Sequence, residues 1–200
     1  MSKQPSKNKR AAPALPFYSL SSQRGRKRLP LLLNSGLDFD VVLECSRGNR
    51  ELPSGISAAL ESPVRKWEDL PYMISCEYAV SERLLGVLRH LQKQGLRAAE
   101  FSVPQVPDRQ GAMPPRYFFI ETDTTVDCAD RERSMEHRGF GKLSYRHFFL
   151  DPARVPPDCH LFRPAGCAHL VISHAVREEA ERLELSGLDY TPPDYGVLEW

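Results

Sequence analysis

Most of the soft metal ligands of this chain lie close together in the sequence. They are Cys128, His137, His147, Cys159, His160, Cys167, His169 and His174. A zinc site needs four such ligands that converge, usually with a closely spaced pair such as CxxC or HxxxH. The spacings here are irregular, and Cys167-x-His169 is the nearest to a chelating pair. We therefore expect ordinary buried cysteines and surface histidines, with no metal and no cofactor.

A nucleophilic cysteine is another possible use of the same residues. A thiolate forms when a neighbouring base or a helix N-terminus lowers the pKa of the thiol. Nothing in the sequence places any of the five cysteines at such a position. The chain also lacks a Walker loop, a dinucleotide-binding glycine fingerprint, GxSxG and HExxH. The sequence therefore predicts a protein that is not an enzyme and has no catalytic residues.

A group of carboxylates interleaved with arginines follows the β-like run at residues 117–120. Its acidic members are Asp123, Asp127, Asp130 and Glu132. Paired carboxylates can perform acid–base chemistry or bind Mg²⁺. An alternating string of acids and bases is more often a salt-bridged surface or one side of a protein interface. We interpret this central group in that second way.

Two cassettes with the same internal spacing form the predicted scaffold. The first contains Ser81 and Gly95, the second contains Ser173 and Gly187, and in both the serine lies 14 positions before the glycine. Serine is a favoured helix N-cap, and glycine adopts the left-handed conformation that ends helices. Each cassette is therefore predicted to form a strand, a capped helix, a glycine stop and another strand. A duplication and two independent uses of one local solution both remain open.

Apolar residues recur at helical intervals within each cassette. They are Leu84, Leu85, Val87, Leu88 and Leu91 in the first, and Val176, Ala180 and Leu183 in the second. Glu178, Glu179 and Glu181 make the other face of the second helix polar. Short apolar runs of strand character, joined by turn-rich loops, occupy much of the remaining sequence. The predicted fold class is α+β, with a mostly antiparallel sheet and two main capped helices, each in a strand-helix-strand cassette.

Charge is distributed unevenly along the chain. Residues 1–28 carry eight Lys or Arg and no acid, which leaves 19 basic and 26 acidic residues, a charge of −7, for residues 29–200. The first segment is rich in Ser, Pro and basic residues and has no periodicity. We predict that residues 1–28 form a disordered basic tail and that residues 29–200 form a single α+β domain. The tail either solubilises the chain or attracts nucleic acid.

The sequence also bears on the cellular compartment. No apolar run approaches the roughly 20 residues that span a bilayer. The N-terminus does not resemble a secretory signal, because its short apolar stretch is broken by Pro13 and Pro16. An odd number of cysteines without a CxxC pair is typical of reduced thiols. We predict a cytoplasmic protein with no membrane partner.

An ordered set of short motifs runs through the two cassettes and the segment between them. The motifs are Val80-Ser-Glu-Arg83, Tyr117-Phe-Phe-Ile120, Val126-Asp-Cys-Ala-Asp-Arg-Glu-Arg-Ser134, Phe149-Leu-Asp-Pro152, His160-Leu-Phe-Arg163-Pro-Ala-Gly166 and Ser186-Gly-Leu-Asp-Tyr190. This order resembles the bacterial immunity protein 11 family, formerly a domain of unknown function and abundant in myxobacteria, over roughly residues 70–192. The resemblance implies an immunity protein of a polymorphic toxin system, which acts in competition between bacteria. Such a protein neutralises its toxin by binding and has no catalytic residue to transfer.

The resemblance implies a cognate toxin as partner, encoded beside this chain. A body with a charge of −7 is steered towards a basic surface. The candidate toxin-binding residues are therefore Asp123, Asp127, Asp130, Glu132, Glu178, Glu179 and Glu181. The alternative is a nucleic-acid-binding accessory protein that uses the basic tail, although we do not expect nucleic acid as a partner. The sequence makes no prediction of the oligomeric state.

Overall fold

The computed structural model describes residues 16–22, 31–32, 41, 44, 51, 55–60, 63–71, 78–139 and 142–196. The strands are β1 (Phe17–Ser22), β2 (Leu31–Leu32), β3 (Ala59–Leu60), β4 (Ala79–Ser81), β5 (Leu96–Phe101), β6 (Tyr117–Thr122), β7 (Thr125–Val126), β8 (Met135–Gly139), β9 (Lys142–Phe148), β10 (Leu161–Pro164), β11 (Val171–Ser173), β12 (Leu188–Thr191) and β13 (Tyr195–Gly196). Helix α1 spans Glu82–Leu91, helix α2 spans His174–Arg182, and a short 3-10 helix spans Pro152–Arg154.

The described strands form four sheets. Their strand orders are β12-β1-β11-β10-β7, β4-β6-β5, β13-β9-β8 and β2-β3. The pairs are antiparallel except for β7 with β10. These sheets and the two helices confirm the predicted α+β class, with mostly antiparallel pairing.

Each predicted cassette forms a split β-α-β unit. In the first unit, β4 and β5 both pair antiparallel with β6, which lies between them. In the second unit, β11 and β12 flank β1 in the same way. The two outer strands of each unit are therefore parallel, and the helix connects them. The central strand of each unit comes from outside its cassette.

The strand registers of the two units are the same. Ser81 lies opposite Tyr117 in the first unit, and Ser173 lies opposite Phe17 in the second. At the other edge the pairs are Leu96 with Thr122 and Leu188 with Ser22. The offset between equivalent residues is thus constant across both cassettes and across both central strands. This agreement of topology and register supports a duplication over two independent solutions.

The boundary predicted for the N-terminal tail is wrong at β1. We expected residues 1–28 to be disordered, but Phe17–Ser22 pairs on both sides within the five-stranded sheet. Tyr18 and Leu20 are buried, and Ser19 and Ser21 alternate with them, which is the period of a strand. Apart from Pro16, the other residues of the predicted tail lie outside the described residues.

The two units share one apolar core. Helix α1 packs against α2, and equivalent helix positions supply fully buried side chains, Leu84 with Val176 and Leu88 with Ala180. Residues of β1, β6, β10 and β11 belong to the same cluster. Burial of a Leu or Val side chain contributes about 1.5–3 kcal/mol. The shared core therefore ties the stability of each unit to the other.

A residue of the segment before each helix holds its N-cap serine. The backbone N–H of Ser81 donates to Asp69 O, while its hydroxyl donates to Asp69 Oδ1 at 2.6 Å and accepts from Leu84 N–H at 3.2 Å. The backbone N–H of Ser173 donates to His160 O, and its hydroxyl lies 2.8 Å from His160 Nδ1. Ser81 therefore caps α1 as predicted. Ser173 occupies the N-cap position, but its hydroxyl contacts His160 and makes no side-chain cap.

The segments that precede the helices also exchange hydrogen bonds between the units. The amides of Asp69 and of the next residue donate to Ser186 O, which follows α2. The amides of His160 and of the next residue donate to Gln92 Oε1 at 2.9 and 3.1 Å. Gln92 is the C-cap of α1. The segment before each helix thus binds the chain that follows the other helix.

The two cassette glycines lie in the connections between each helix and the next strand, and they do not end the helices. The caps are Gln92 for α1 and Leu183 for α2. Gly95 and Gly187 have φ values of 75° and 90°, in the left-handed region. A Cβ at Gly187 would lie 2.4 Å from Leu70 O. Glycine at this position therefore allows the close approach of the two units.

Ser81→Ala is expected to destabilise the protein more than Ser173→Ala. Loss of Ser81 removes the α1 cap and leaves one oxygen of the buried Asp69 carboxylate without its donor, a cost of about 3 kcal/mol. Loss of Ser173 removes one side-chain hydrogen bond, a cost of about 1 kcal/mol. Denaturant unfolding of both variants measures the difference, and equal losses would contradict this assignment.

Candidate functional site

The predicted acidic residues of the central group are surface residues that are largely paired within the chain. Asp123 pairs with Arg97 on β5 at 3.0 Å. Asp127 pairs with Arg131 at 3.1 Å and with Arg154 at 2.8 Å. These contacts neutralise much of the local negative charge. The interpretation of this group as a salt-bridged surface therefore fits its geometry.

Asp130 organises the turn that follows. Its Oδ1 accepts hydrogen bonds from the backbone N–H groups of Glu132 and Arg133, at 3.0 and 3.2 Å. The guanidinium of Arg133 lies over the ring of Phe149, 4.1 Å from its centroid. Glu132 itself is exposed. Asp130 is thus a structural residue of the turn, and Glu132 is the member left open to a partner.

The three predicted acidic residues of α2 do not all lie on the same side of the helix. The pairs are Glu178 with His174 at 3.4 Å, Glu181 with Arg177 at 2.7 Å, and Glu179 with Arg182 at 2.5 Å. The first two pairs adjoin β1, because His174 and Arg177 both contact Tyr18. Among the described residues, no hydrogen bond or ion pair connects these acids with the central group. The structure therefore does not bring the two predicted groups into one site.

The two units differ at one set of equivalent positions. Leu85, Phe118 and Ala98 of the first unit correspond to Arg177, Tyr18 and Tyr190 of the second. The helix residues are each four positions after the N-cap serine, and the strand residues share the same register. Leu85 is 1% exposed, whereas the side chain of Arg177 is 31% exposed. An apolar contact of the core is thus replaced by a partly exposed arginine beside two tyrosine rings.

Arg177 is held in one orientation by its neighbours. Its Nε donates to Glu181 Oε1 at 2.7 Å, and its Nη1 donates to the Tyr18 hydroxyl at 2.9 Å. The guanidinium lies over the rings of Tyr18 and Tyr190, 5.0 and 4.9 Å from their centroids. The two rings meet edge to face at 5.7 Å. Cation–π contact and hydrogen bonding therefore fix the same side chain.

His174 joins the same cluster through both ring nitrogens. Arginine only donates, so the Tyr18 oxygen accepts from Arg177, and the same oxygen lies 3.2 Å from His174 Nδ1. His174 Nε2 lies 3.4 Å from Glu178 Oε1. We call Tyr18, His174, Arg177, Glu178, Glu181 and Tyr190 the α2 patch.

Sequence reasoning named Glu178 and Glu181 but missed the rest of the α2 patch. One signal was available: Arg177 stands where the aligned first cassette has Leu85. Tyr18 was missed because its strand lies between two basic stretches. Its contact with Tyr190 joins residues near the two ends of the chain, and spacing within either cassette does not reveal it.

The cysteine-rich region forms a core and not a reactive site. Cys128, Cys159 and Cys167 are buried in one apolar cluster. Burial raises the pKa of Cys128 to about 12 and that of Cys159 to about 11. Both thiols are therefore protonated near neutral pH and weakly nucleophilic. No group of three or more His, Cys, Asp or Glu within the described residues is arranged to hold a metal ion.

The Ser173–His160 pair resembles a nucleophile and its base only in its distance. Ser173 is buried, and its backbone lies in the β1–β11 ladder opposite Phe17. A serine nucleophile must reach a substrate. The contact therefore holds the start of α2 in place.

Glu121 is a buried carboxyl group at the junction of two sheets. Its carboxylate lies 2.9 Å from Arg163 Nη2, which joins β6 to β10. Burial raises the pKa of Glu121 to about 7, although Arg163 and Arg97 act to lower it. Burial and the positive charge of Arg163 lower the pKa of His169 to about 4. Groups with a shifted pKa often mark functional sites. The Glu121–Arg163 pair links two sheets, and we interpret it as structural.

No protein-family model matches this chain, and no curated protein matches it. The resemblance to the immunity protein 11 family therefore stays a prediction from the motif order. Within the described residues, no helix is long and apolar enough to cross a membrane.

Glu121→Gln is expected to change how stability depends on pH. Between about pH 4.5 and 6.5, the folded chain holds an extra proton at Glu121 and lacks one at His169, relative to the unfolded chain. As the pH rises, the proton difference at Glu121 lowers the free energy of unfolding and the one at His169 raises it. The variant keeps only the His169 effect, so its free energy of unfolding should rise with pH more steeply than that of the parent, by up to about 1.4 kcal/mol per pH unit.

Denaturant unfolding at several pH values tests this expectation. The exposed Glu132→Gln variant is the control and should follow the parent. Parallel curves for the parent and Glu121→Gln would show that Glu121 is not protonated in this range.

Proposed function

We propose that this chain is a cytoplasmic immunity protein of a polymorphic toxin system. It binds a cognate toxin in a stoichiometric complex and neutralises it without chemistry of its own. The motif order supports the family, and the α2 patch supports a binding role. The nucleic-acid alternative stays a prediction, because the eight basic residues behind it lie outside the described residues.

The observation that carries this proposal is the change from Leu85 in the first unit to Arg177 in the second. The shared fold is satisfied by an apolar residue at this position, as the first unit shows. A partly exposed arginine stacked on Tyr18 and Tyr190 gives up that burial. Tyr and Arg are enriched among the residues that dominate binding energy. The exchange is therefore explained by a partner that contacts the second unit.

The fixed orientation of Arg177 within the α2 patch favours tight binding. Arg177 is already held by Glu181 and Tyr18, so less side-chain entropy is lost when a partner binds. Glu178 and Glu181 are 68% and 50% exposed on the same side of the helix. Together with the −7 charge of residues 29–200, they favour a toxin with a basic surface.

Co-expression with the product of the adjacent gene tests the function. The chain should restore growth and purify with that protein in a fixed ratio. Failure of both rescue and co-purification would reject the proposal.

Substitutions on α2 test the surface itself. Arg177→Ala should weaken toxin binding by about thirtyfold, or about 2 kcal/mol, as expected for a central contact. Arg177→Lys should also weaken binding, because lysine keeps the charge but loses the planar stacking. Arg182→Ala is the matched control, since it breaks an exposed pair with Glu179 on the same helix. Titration calorimetry measures all three, and equal affinities for Arg177→Ala and Arg182→Ala would place the interface elsewhere.

A further inference from the structure

The connection between β5 and β6 is longer than its strands require. It runs from the end of β5 at Phe101 to the start of β6 at Tyr117. Antiparallel neighbours are commonly joined by about 2–5 residues. The second unit has no equivalent connection, because its central strand β1 precedes the cassette. The loop at residues 104–115 is thus an addition to the shared fold.

This loop is braced from within. Asp108 is 7% exposed although the residues around it are mostly exposed. Its Oδ1 accepts from the N–H groups of Gln110 and Ala112 at 2.8 and 3.0 Å, and its own N–H donates to Ala112 O at 2.9 Å. Its Oδ2 accepts from Trp67 N–H at 3.3 Å, and the Trp67 indole donates to Val106 O at 3.2 Å. These hydrogen bonds hold the loop in one conformation.

The braced loop directs apolar side chains into solvent. Val106 is 41% exposed and Met113 is 53% exposed. They flank the turn that the Asp108–Ala112 hydrogen bond closes. Only two other large apolar residues of the described chain, Met135 and Leu143, are classed as exposed. A stiff support reduces the conformational entropy that is lost when exposed apolar groups bind a partner.

The exposed charged side chain of the loop is that of Arg109. Arg109 is exposed at the turn, while the neighbouring carboxylate of Asp108 is withdrawn into hydrogen bonds. The loop thus differs from the acidic α2 patch in both charge and apolar content. It suits a different part of a partner surface.

We propose that the loop at residues 104–115 is a second recognition element, which inserts Val106 and Met113 into an apolar cleft of the partner. Arg109 pairs with a carboxylate at the mouth of that cleft. This inference rests on the proposed function, in which the partner is the toxin. Insertion of a preformed loop into a cleft blocks access to it, so the loop contributes directly to neutralisation.

The experiment compares two double variants of the full chain. Val106→Ser with Met113→Ser alters the loop, and Met135→Ser with Leu143→Ser alters the other two exposed apolar residues, on β8 and β9. The loop variant should bind the co-encoded toxin at least tenfold more weakly than the parent, and the control variant should bind within threefold of it. Arg109→Glu should weaken binding at least tenfold as well. All four positions are exposed, so near-UV circular dichroism should show that each variant is folded.

The outcomes separate this inference from the proposed function. Parent-like affinity of the loop variant overturns the role of the loop while toxin binding through α2 stands. Equal losses in the two double variants also overturn it, because the effect would then follow surface apolarity in general. If the parent chain fails to bind the toxin, the proposed function fails and the inference fails with it.

Discussion

The buried carboxylate of Asp69 is the contact on which the arrangement of this protein most depends. One oxygen accepts from the Ser81 hydroxyl and the other from the Ser186 N–H, while the Asp69 backbone bonds the same two residues. A buried carboxylate without donors is strongly destabilising. The start of α1 and the chain that enters β12 must therefore stay in register. His160 and Gln92 make the reciprocal connection without a carboxylate.

The use of one topology in two units separates the requirements of folding from those of recognition. Both units keep the same strand register and the same buried helix positions, and the core across them needs both. The first unit keeps Leu85 in the core, whereas the second presents Arg177 between two tyrosines. The two units also differ in their connections, since only the first carries the loop braced by Asp108. In our proposal, these two departures from the shared pattern are the surfaces that meet the toxin.

Local sequence signals predicted the local parts of this structure well. The α1 apolar stripe and the Ser81 cap needed only nearby residues, and both are confirmed. The predicted side-chain cap at Ser173 is wrong: its hydroxyl contacts His160, thirteen residues earlier, and accepts no hydrogen bond from the first turn of α2. Strand β1 was missed because a short alternating pattern between basic stretches gives little signal until its partners β11 and β12 are known. The α2 patch also depends on the pairing of β1 with β11 and β12. Of its residues, only Glu178 and Glu181 were therefore predicted from the sequence.

Hydrogen–deuterium exchange of the full chain, with and without its bound toxin, tests most directly the claim that the second unit carries recognition. Binding through the α2 patch should slow exchange across α2, β12 and β1 while leaving α1 unchanged. The equivalent helices provide an internal comparison, because each connects the outer strands of its unit and the two pack against each other. Slower exchange at α1 with no change at α2 would contradict the account.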